Sequence, residues 1–475
     1  MRRPLIWALL AITTGCAINP ATGRRELDLI GEGREIEMGR EADQQLASSL
    51  GLVDDPQLSA YVADLGARLA AVSERPGLPW TFRVLDDPTV NAFALPGGFI
   101  YVTRGILTHF DSEAELAGVL GHEIGHVTAR HSVSQMSRQQ LQQLGLGVGM
   151  VFSEDFRQVG SLAGSLLQVM NLRYSRGDES ESDELGLRYM SRAAYDGEAL
   201  IGVFRMLASV SGGGEGRIPE WQLTHPYPEN REATIRATLA AAGGSRGGTV
   251  ARDEYLDRLD GLTFGADPRQ GFFRDGVFLH PDLAFQFRIP DGWNGINQTE
   301  YVAAVSPEED GVFMLTLDAA AADVDEALRT FLAAEGITAG GIERGGSASV
   351  PTRAADFSAT TSDGTLRGRV TYLSYDGRIY RMLGYGGDAG WTRHRAAISG
   401  TMGSFDRVTD RSVLDVRPWR VRIVSAPRNQ TLRQLHGQWN VPTSLEEWAR
   451  LNRMDPDATI NAGTRIKRVE GLPYR

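Results

Sequence analysis

Cysteine and lysine are nearly missing from this 475-residue sequence, and it has no excess of positive charge. Its one cysteine, Cys16, excludes an intrachain disulfide and a thiolate metal cluster. Lys467 is the one lysine among 49 basic residues, a usage that reads as codon bias more than function. A formal net charge of -11 argues against a general nucleic-acid binder, which needs a cationic surface to displace phosphate counterions. Past the N-terminal segment, no stretch reaches the roughly 18 apolar residues of a membrane span. The 55 glycines follow no collagen-like period, so fibrous classes are out. What is present, 42% hydrophobic and 23% charged residues, is enough to fold, and the length suits about three domains.

Residues 1–15 run Met-Arg-Arg, then apolar Pro4 to Ile12, then Thr13-Thr14-Gly15, the charged, apolar, small order of a secretory signal. Cys16 follows directly, and the arrangement resembles a bacterial lipoprotein signal with Gly15 before the cleavage point and Cys16 as the lipidated residue. Thr13 stands where an aliphatic residue is usual, and a plain signal peptide or a short buried helix is the other reading. A lipid on Cys16 would tie the chain to a membrane with all that follows outside the cytoplasm. Ala17, not the Asp of inner-membrane retention, favours the periplasmic face of the outer membrane.

Three blocks follow the signal. Residues 16–245 are largely helical by their three and four spacing, and Gly243 to Gly248 reads as a flexible joint. Residues 268–412 alternate in short stretches, Leu283 to Ile289, Phe313 to Leu317, Arg367 to Leu373 and Arg378 to Leu383, with helical Asp325 to Ala334 and Arg393 to Met402. Asp363-Gly364 and Asp376-Gly377 are hairpin-turn signals. This α+β block resembles the PsbP-like sandwich domains. Residues 415–475 show a strand, Val421 to Val424, two helical stretches, Thr431 to Trp439 and Ser444 to Asn452, and a closing strand, Arg465 to Val469. They resemble the βααβ pattern of LysM wall-binding modules. This tail sums to +5 and the rest of the chain to -16, so it presents either a patch for wall polymers or anionic lipid, or a solvated basic face.

The chemistry concentrates in His122-Glu123-Ile124-Gly125-His126. Residues four apart on a helix lie about 40° from each other, so both imidazoles can reach one metal while Glu123 contacts water there. Ser112 and Glu115 form a capping box before a helix predicted over Ala114 to Val127. Further on, Ser175 to Gly186 is rich in carboxylates, and in a helix Glu179 and Asp183 share a face. One carboxylate can then hold a metal while the other receives the free N–H of a metal-bound histidine. Two histidines and one carboxylate leave an open position, the mark of a catalytic zinc site.

HExxH followed by Arg176, Glu179, Asp183 and Gly186 resembles the HtpX/BepA/LoiP-type membrane and periplasmic zinc metallopeptidases. So do Cys16 to Glu26, Asn91 to Gly98, and Thr224-His225-Pro226. The likeness covers roughly residues 16–240, and Ser182 stands where the family usually has Ala, a change expected to matter little. It implies a mainly α zincin-type (gluzincin) peptidase domain followed by an α+β domain and a small βααβ domain. It also implies one zinc ion on His122, His126 and Glu179, Glu123 as general base, Asp183 behind a zinc ligand, and peptide hydrolysis without a covalent intermediate. His225, with Arg231 following as in the family, would stabilise the oxyanion or latch the open ligand position; Tyr227 is a second oxyanion candidate.

Asn91-Ala92-Phe93-Ala94 alternates with Phe99 to Val102 around Pro96-Gly97-Gly98, a hairpin whose exposed edge could take substrate as an added strand, or which only packs the domain. His131, about 180° round a continuing helix from His122, is expected to point away from the metal. It is read as structural, with His109, His280, His394 and His436. Leu141 to Phe152 reads as a mobile or membrane-dipping lid or as a packed helix pair. The expected protein is a lipid-anchored envelope endopeptidase acting on unfolded or misassembled envelope proteins, with peptidoglycan as a further partner through its C-terminus. The rival readings are a peptidoglycan stem-peptide hydrolase and a zinc-containing chaperone or scaffold without activity.

Overall fold

A computed structural model of the chain describes residues 16–145, 174–211, 221, 225, 231–241, 247–347, 349–361 and 364–472. The signal segment, Tyr227, most of the Gly243 to Gly248 joint and most of the expected lid lie outside the described residues. The chain forms two compact units, one running to Ala266 and resuming at Trp419–Gly471, the other Asp267–Pro418.

In the first unit an antiparallel ribbon, β1 (Cys16–Ile18) and β2 (Arg25–Leu27), precedes helices α1 (Glu32–Ser49) and α2 (Pro56–Ala71). Asp55 caps α2 by accepting the Gln57 and Leu58 N–H groups, with Pro56 at the first helical position. Three strands follow, β3 (Thr81–Leu85), β4 (Ala92–Leu95) and β5 (Phe99–Thr103), in the order β3-β5-β4. The β4–β5 turn needs Gly97 and Gly98, at φ 80° and 104°. Helices α3 (Arg104–His109), α4 (Glu113–Thr128), α5 (His131–Gly145), α6 (Arg176–Arg192), α7 (Ala199–Ser211), α8 (Arg231–Ala241) and α9 (Arg252–Leu259) and the short β6 (Thr263–Phe264) complete this stretch. Every residue of α4 is buried, as expected of a helix whose small and apolar residues surround it instead of forming one stripe.

The second unit is α+β. Strands β7 (Phe272–Arg274), β8 (Val277–His280) and β9 (Phe285–Arg288) form a small sheet with β17 (Asp406–Arg407). A seven-stranded antiparallel sheet in the order β10-β11-β12-β16-β15-β14-β13 is built from β10 (Asn294–Asn297), β11 (Tyr301–Val305), β12 (Gly311–Leu317), β13 (Ile337–Gly346), β14 (Pro351–Thr361), β15 (Gly364–Tyr375) and β16 (Arg378–Gly387). Alternate residues feed two cores, Leu373, Tyr380 and Met382 packing with α11 (Asp388–Gly403), and Tyr372 and Ile379 with α10 (Val324–Leu332). Asp376 and Gly377, at φ 50° and 72°, make the tight β15–β16 turn. A one-turn helix, α12 (Arg411–Leu414), ends the unit.

The C-terminal stretch has β18 (Trp419–Ser425), β19 (Gln430–Thr431), α13 (Leu432–Trp439), α14 (Leu445–Asn452), β20 (Thr459–Ile460) and β21 (Arg465–Glu470). Expected as a block of its own, it instead shares the first unit. β18 pairs with β21 on one side and β6 on the other, where Trp419 faces Phe264. Three of its cations meet acidic groups from the earlier part of the same unit. The Lys467 ammonium, 1% exposed, lies 2.9 Å from Asp111 and donates to the Phe110 carbonyl at 2.7 Å. Arg453 grips Glu115, and Arg465 pairs with Asp257. The single lysine is thus the buried bolt of this seam, a role that codon usage does not describe.

Candidate active site

α4 begins where Ser112 accepts the Glu115 N–H at 3.3 Å. The expected capping box closes by half, because the Glu115 carboxylate turns to the Asp111 N–H at 2.7 Å and to Arg453. Two turns on, α6 crosses α4 so closely that a Cβ on Gly186 would stand 2.9 Å from the His122 nitrogen. Gly121 and Gly125 are equally tight, facing Gly186 and Ser182. This glycine-lined crossing brings the carboxylates of α6 to the histidines of α4.

His122 and His126 turn their Nε2 atoms to within 3.0 Å of each other. Glu179 lies 3.3 Å from His126 Nε2 and 3.6 Å from His122 Nε2. His225 Nδ1 is 2.9 Å from Glu179 and 3.4 Å from His122 Nε2. One ligand atom from each of these four buried residues falls within 4.8 Å of all the others. Nitrogens crowded face to face around a carboxylate, with Glu179 Oε2 lacking a hydrogen bond among the described residues, form a donor set that a divalent ion satisfies, and all-N,O ligation suits zinc. Glu123 is fully buried, its oxygens have no hydrogen-bond partner among the described residues, and His225 Nε2 stands 3.7 Å away.

Behind the cluster, Asp183 accepts from His122 Nδ1 at 2.9 Å. Arg231 holds Asp183 with two hydrogen bonds of 2.5 and 2.6 Å and lies 4.1 Å over the Phe204 ring. Burial pushes the Asp183 carboxyl up, but Arg231 and His122 outweigh it and hold it below its ordinary range. Glu179 behaves alike, burial being overridden by His225 and His126, so it stays ionised. Burial raises Glu123. In His225 burial is opposed and exceeded by Glu179 and Glu123, and its pKa rises.

Two placements differ from expectation. α4 stops at Thr128, Arg130 takes φ 59°, and α5 starts afresh at His131, so His131 does not lie on the far side of a continuing helix. Its Nδ1 comes back to 3.0 Å from His126 Nδ1. Ser182, expected to matter little, sets its hydroxyl 3.3 Å from that same His131 nitrogen. Ala92, Phe93 and Ala94 lie in β4, which is at the edge of its sheet beside α4, and Asn91 immediately precedes it; all four side chains are buried as β4 packs on that helix. Sequence reasoning missed two rings. Tyr174 stacks on His126 at 3.9 Å, and Trp221 stacks on His225 at 4.2 Å. Trp221 carried a signal, standing four residues before His225, whose N–H donates to the Trp221 carbonyl at 2.8 Å. Cys16 pairs with Leu27 across β1 and β2.

Residues 56–239 match the model for Peptidase family M48. The beta-barrel assembly-enhancing proteases of Yersinia pestis and Escherichia coli (strain K12) are each 32% identical to this chain, over 43% of it and 43% of their own length. The mitochondrial metalloendopeptidase OMA1 of Schizosaccharomyces pombe is 31% identical over 47% of this chain and 66% of its own. The chain thus spans less than half the length of the first two relatives. Among solved structures, cyanobacterial PsbP of Synechocystis sp. PCC 6803 aligns at TM-score 0.23 and 10% identity, over 28% of this chain and 91% of that one. The buried donor cluster and the family match fall on the same helices, and over residues 56–239 this chain carries a zinc-peptidase domain of family M48.

Proposed function

We propose that this chain is a zinc endopeptidase of the bacterial cell envelope that cuts misfolded or misassembled envelope proteins. The observation that carries the reading is the convergence of His122, His126 and Glu179 beside a buried Glu123 that has no hydrogen-bond partner among the described residues. Zinc held by those three ligands supplies a Lewis acid that acidifies water and polarises the scissile carbonyl. Glu123 takes the proton of the attacking water and delivers it to the leaving amine, a transfer suited to a carboxyl whose pKa burial has raised. Asp183, clamped by Arg231, fixes the ring of His122.

His225, within reach of Glu179, His122 and Glu123 at once, acts as a latch that fills the position substrate needs. Its place among the ligand atoms supports this over an oxyanion role. β4, edge strand beside α4, offers Asn91 to Ala94 as the line along which an extended substrate adds. The printed name of the bacterial relatives, beta-barrel assembly-enhancing protease, supports misassembled envelope proteins as the substrate class. Lipid on Cys16 anchors the protein, with the periplasmic face of the outer membrane favoured; no helix among the described residues is long and apolar enough to cross a membrane. Peptidoglycan contact through the C-terminal stretch draws no support from Arg453, Arg465 and Lys467, which face acidic groups of their own unit.

The test is made on residues 17–475, counting bound zinc and comparing wild type with Glu123→Gln on casein and on isolated wall sacculi. Equal zinc, with casein cut by wild type only, is expected. If both bind zinc and neither they nor His225→Ala cut casein, the peptidase reading fails; cleavage confined to sacculi would make the chain a wall hydrolase.

A further inference from the structure

His131 is 2% exposed and none of the roles above uses it. Its ring meets that of His126 at 74°, centroids 5.0 Å apart, with the two Nδ1 atoms 3.0 Å from each other. Two imidazole nitrogens at this distance share one proton, so one ring donates and the other accepts. The direction follows from the far side of His126, where Nε2 faces His122 Nε2 at 3.0 Å and Glu179 at 3.3 Å. A nitrogen that holds a metal presents its lone pair, so a neutral His126 carries its proton on Nδ1. His126 is then the donor and His131 Nδ1 the acceptor. The proton of His131 sits on Nε2, which has no hydrogen-bond partner among the described residues and lies 3.9 Å from Asp178.

We propose that His131 is the positioning residue for His126, accepting its Nδ1–H and so fixing which nitrogen of His126 faces the metal. This rests on the reading of His126 as a zinc ligand. The two metal histidines thus have different supports, an arginine-clamped carboxylate behind His122 and a neutral imidazole behind His126. A carboxylate raises the basicity of its histidine more than a neutral ring does, so His126 is the weaker donor of the pair. The surroundings hold the arrangement. Tyr174 stacks on His126 and bonds through its hydroxyl to Ser132, the neighbour of His131, at 2.9 Å. The turn that returns His131 to the site is pinned at Arg130, which pairs with Asp28, with Glu35 at 3.0 Å and with the Ile30 carbonyl at 2.7 Å. Ser182 Oγ, 3.3 Å from the same His131 nitrogen, is the longer and weaker of its two contacts.

The experiment uses the zinc-loaded chain labelled with 15N-histidine. A through-hydrogen-bond coupling between Nδ1 of His126 and Nδ1 of His131 is expected in the wild type. Competition with a chelator then compares wild type, His131→Phe, which keeps a flat ring without an acceptor, and His131→Gln, which restores an acceptor oxygen. His131→Phe is expected to weaken zinc binding roughly 10- to 100-fold, and His131→Gln to recover most of the loss. Melting of the metal-free proteins separates this effect from unfolding. Absence of the coupling in the wild type, wild-type affinity in His131→Phe, or equal losses in the two variants with their folds intact would each overturn the proposal. The coupling decides alone should His131→Phe fail to fold. A wild type that takes up no zinc overturns both this and the metal reading, whereas zinc uptake with an indifferent His131→Phe overturns only this one.

Discussion

A carboxylate buried with neither oxygen hydrogen-bonded costs stability, and among the described residues Glu123 is held in that state. On the proposed function that state serves reactivity, and removing its charge tests that. Glu123→Gln is expected to leave zinc content unchanged and to lower turnover by about 10²- to 10⁴-fold, the range of a lost general base. His225 is the opposite case, a side chain whose removal should help. With zinc content constant, His225→Ala is expected to raise casein cleavage; a fall would return the residue to oxyanion stabilisation. Glu179 and Glu181 separate by face, since Glu181 is half-buried and meets Asn19 Nδ2 at 3.4 Å instead of the histidines. Glu179→Gln should lose zinc and Glu181→Gln should keep it.

The site exists because two helices touch almost backbone to backbone. α4 and α6 cross at Gly121, Gly125, Ser182 and Gly186, and that closeness lets carboxylates on one helix reach imidazoles on the other. A methyl group at Gly186 would meet the His122 backbone at 2.9 Å, which rigid helices relieve only by moving apart. Gly186→Ala is therefore expected to cost about 1–3 kcal/mol of stability, as overpacked cores do, and to weaken zinc binding at the same time. Calorimetry with zinc titration would show both, and an unchanged zinc affinity would mean that the crossing has slack. The start of α4 was legible, since Ser112 accepts an N–H of the first turn, and Ser175 is found to cap α6 in the same way. The break after α4 was not. It depends on Arg130 in the left-handed region, held by Asp28 and Glu35 from about 100 residues earlier in the chain.

Over the whole chain, the contrast between a basic tail and an acidic remainder resolves largely into an internal seam. Lys467 and Arg453 dock at Asp111 and Glu115, at the start of the metal-site helix, and β18 continues the pairing of β6. The second unit is thus an insertion between neighbouring strands, Phe264 being the register partner of Trp419. A chain in which a short glycine linker replaces 267–418 is expected to fold and bind zinc, whereas truncation at 418 is expected to lower the melting temperature of the peptidase. Equal melting of the truncated and full chains would show the seam to be idle. The seam also has a pH signature. Burial pushes the Asp111 carboxyl up, but Lys467 and Arg453 outweigh it and hold it below 3.8. A carboxyl lowered on folding adds stability that is complete above its unfolded value and vanishes as pH falls through the folded one. The urea midpoint should therefore exceed that of Asp111→Asn between pH 7 and 4, and the gap should close below about pH 4; a gap constant to pH 3 would clear Asp111.

That His122 with His126, and Glu179 with Asp183, share a helix face could be read from the amino-acid order because a helix converts spacing into direction, whereas the part each carboxylate and Glu123 would play came from the family resemblance. The same locality made the hairpin at Asp376-Gly377 and the alternating strands of the second unit readable, along with the βααβ run of the C-terminal stretch. Contacts between distant segments were settled only by the folded chain. His131 reaches His126 because a backbone reversal is pinned by far-off carboxylates, Tyr174 stacks on His126 from another segment of the chain, and Lys467 finds its partner more than 350 residues away. Each depends on packing and desolvation that no local pattern encodes, so a lysine dismissed as codon usage became the buried charge joining the chain's end to its active-site helix.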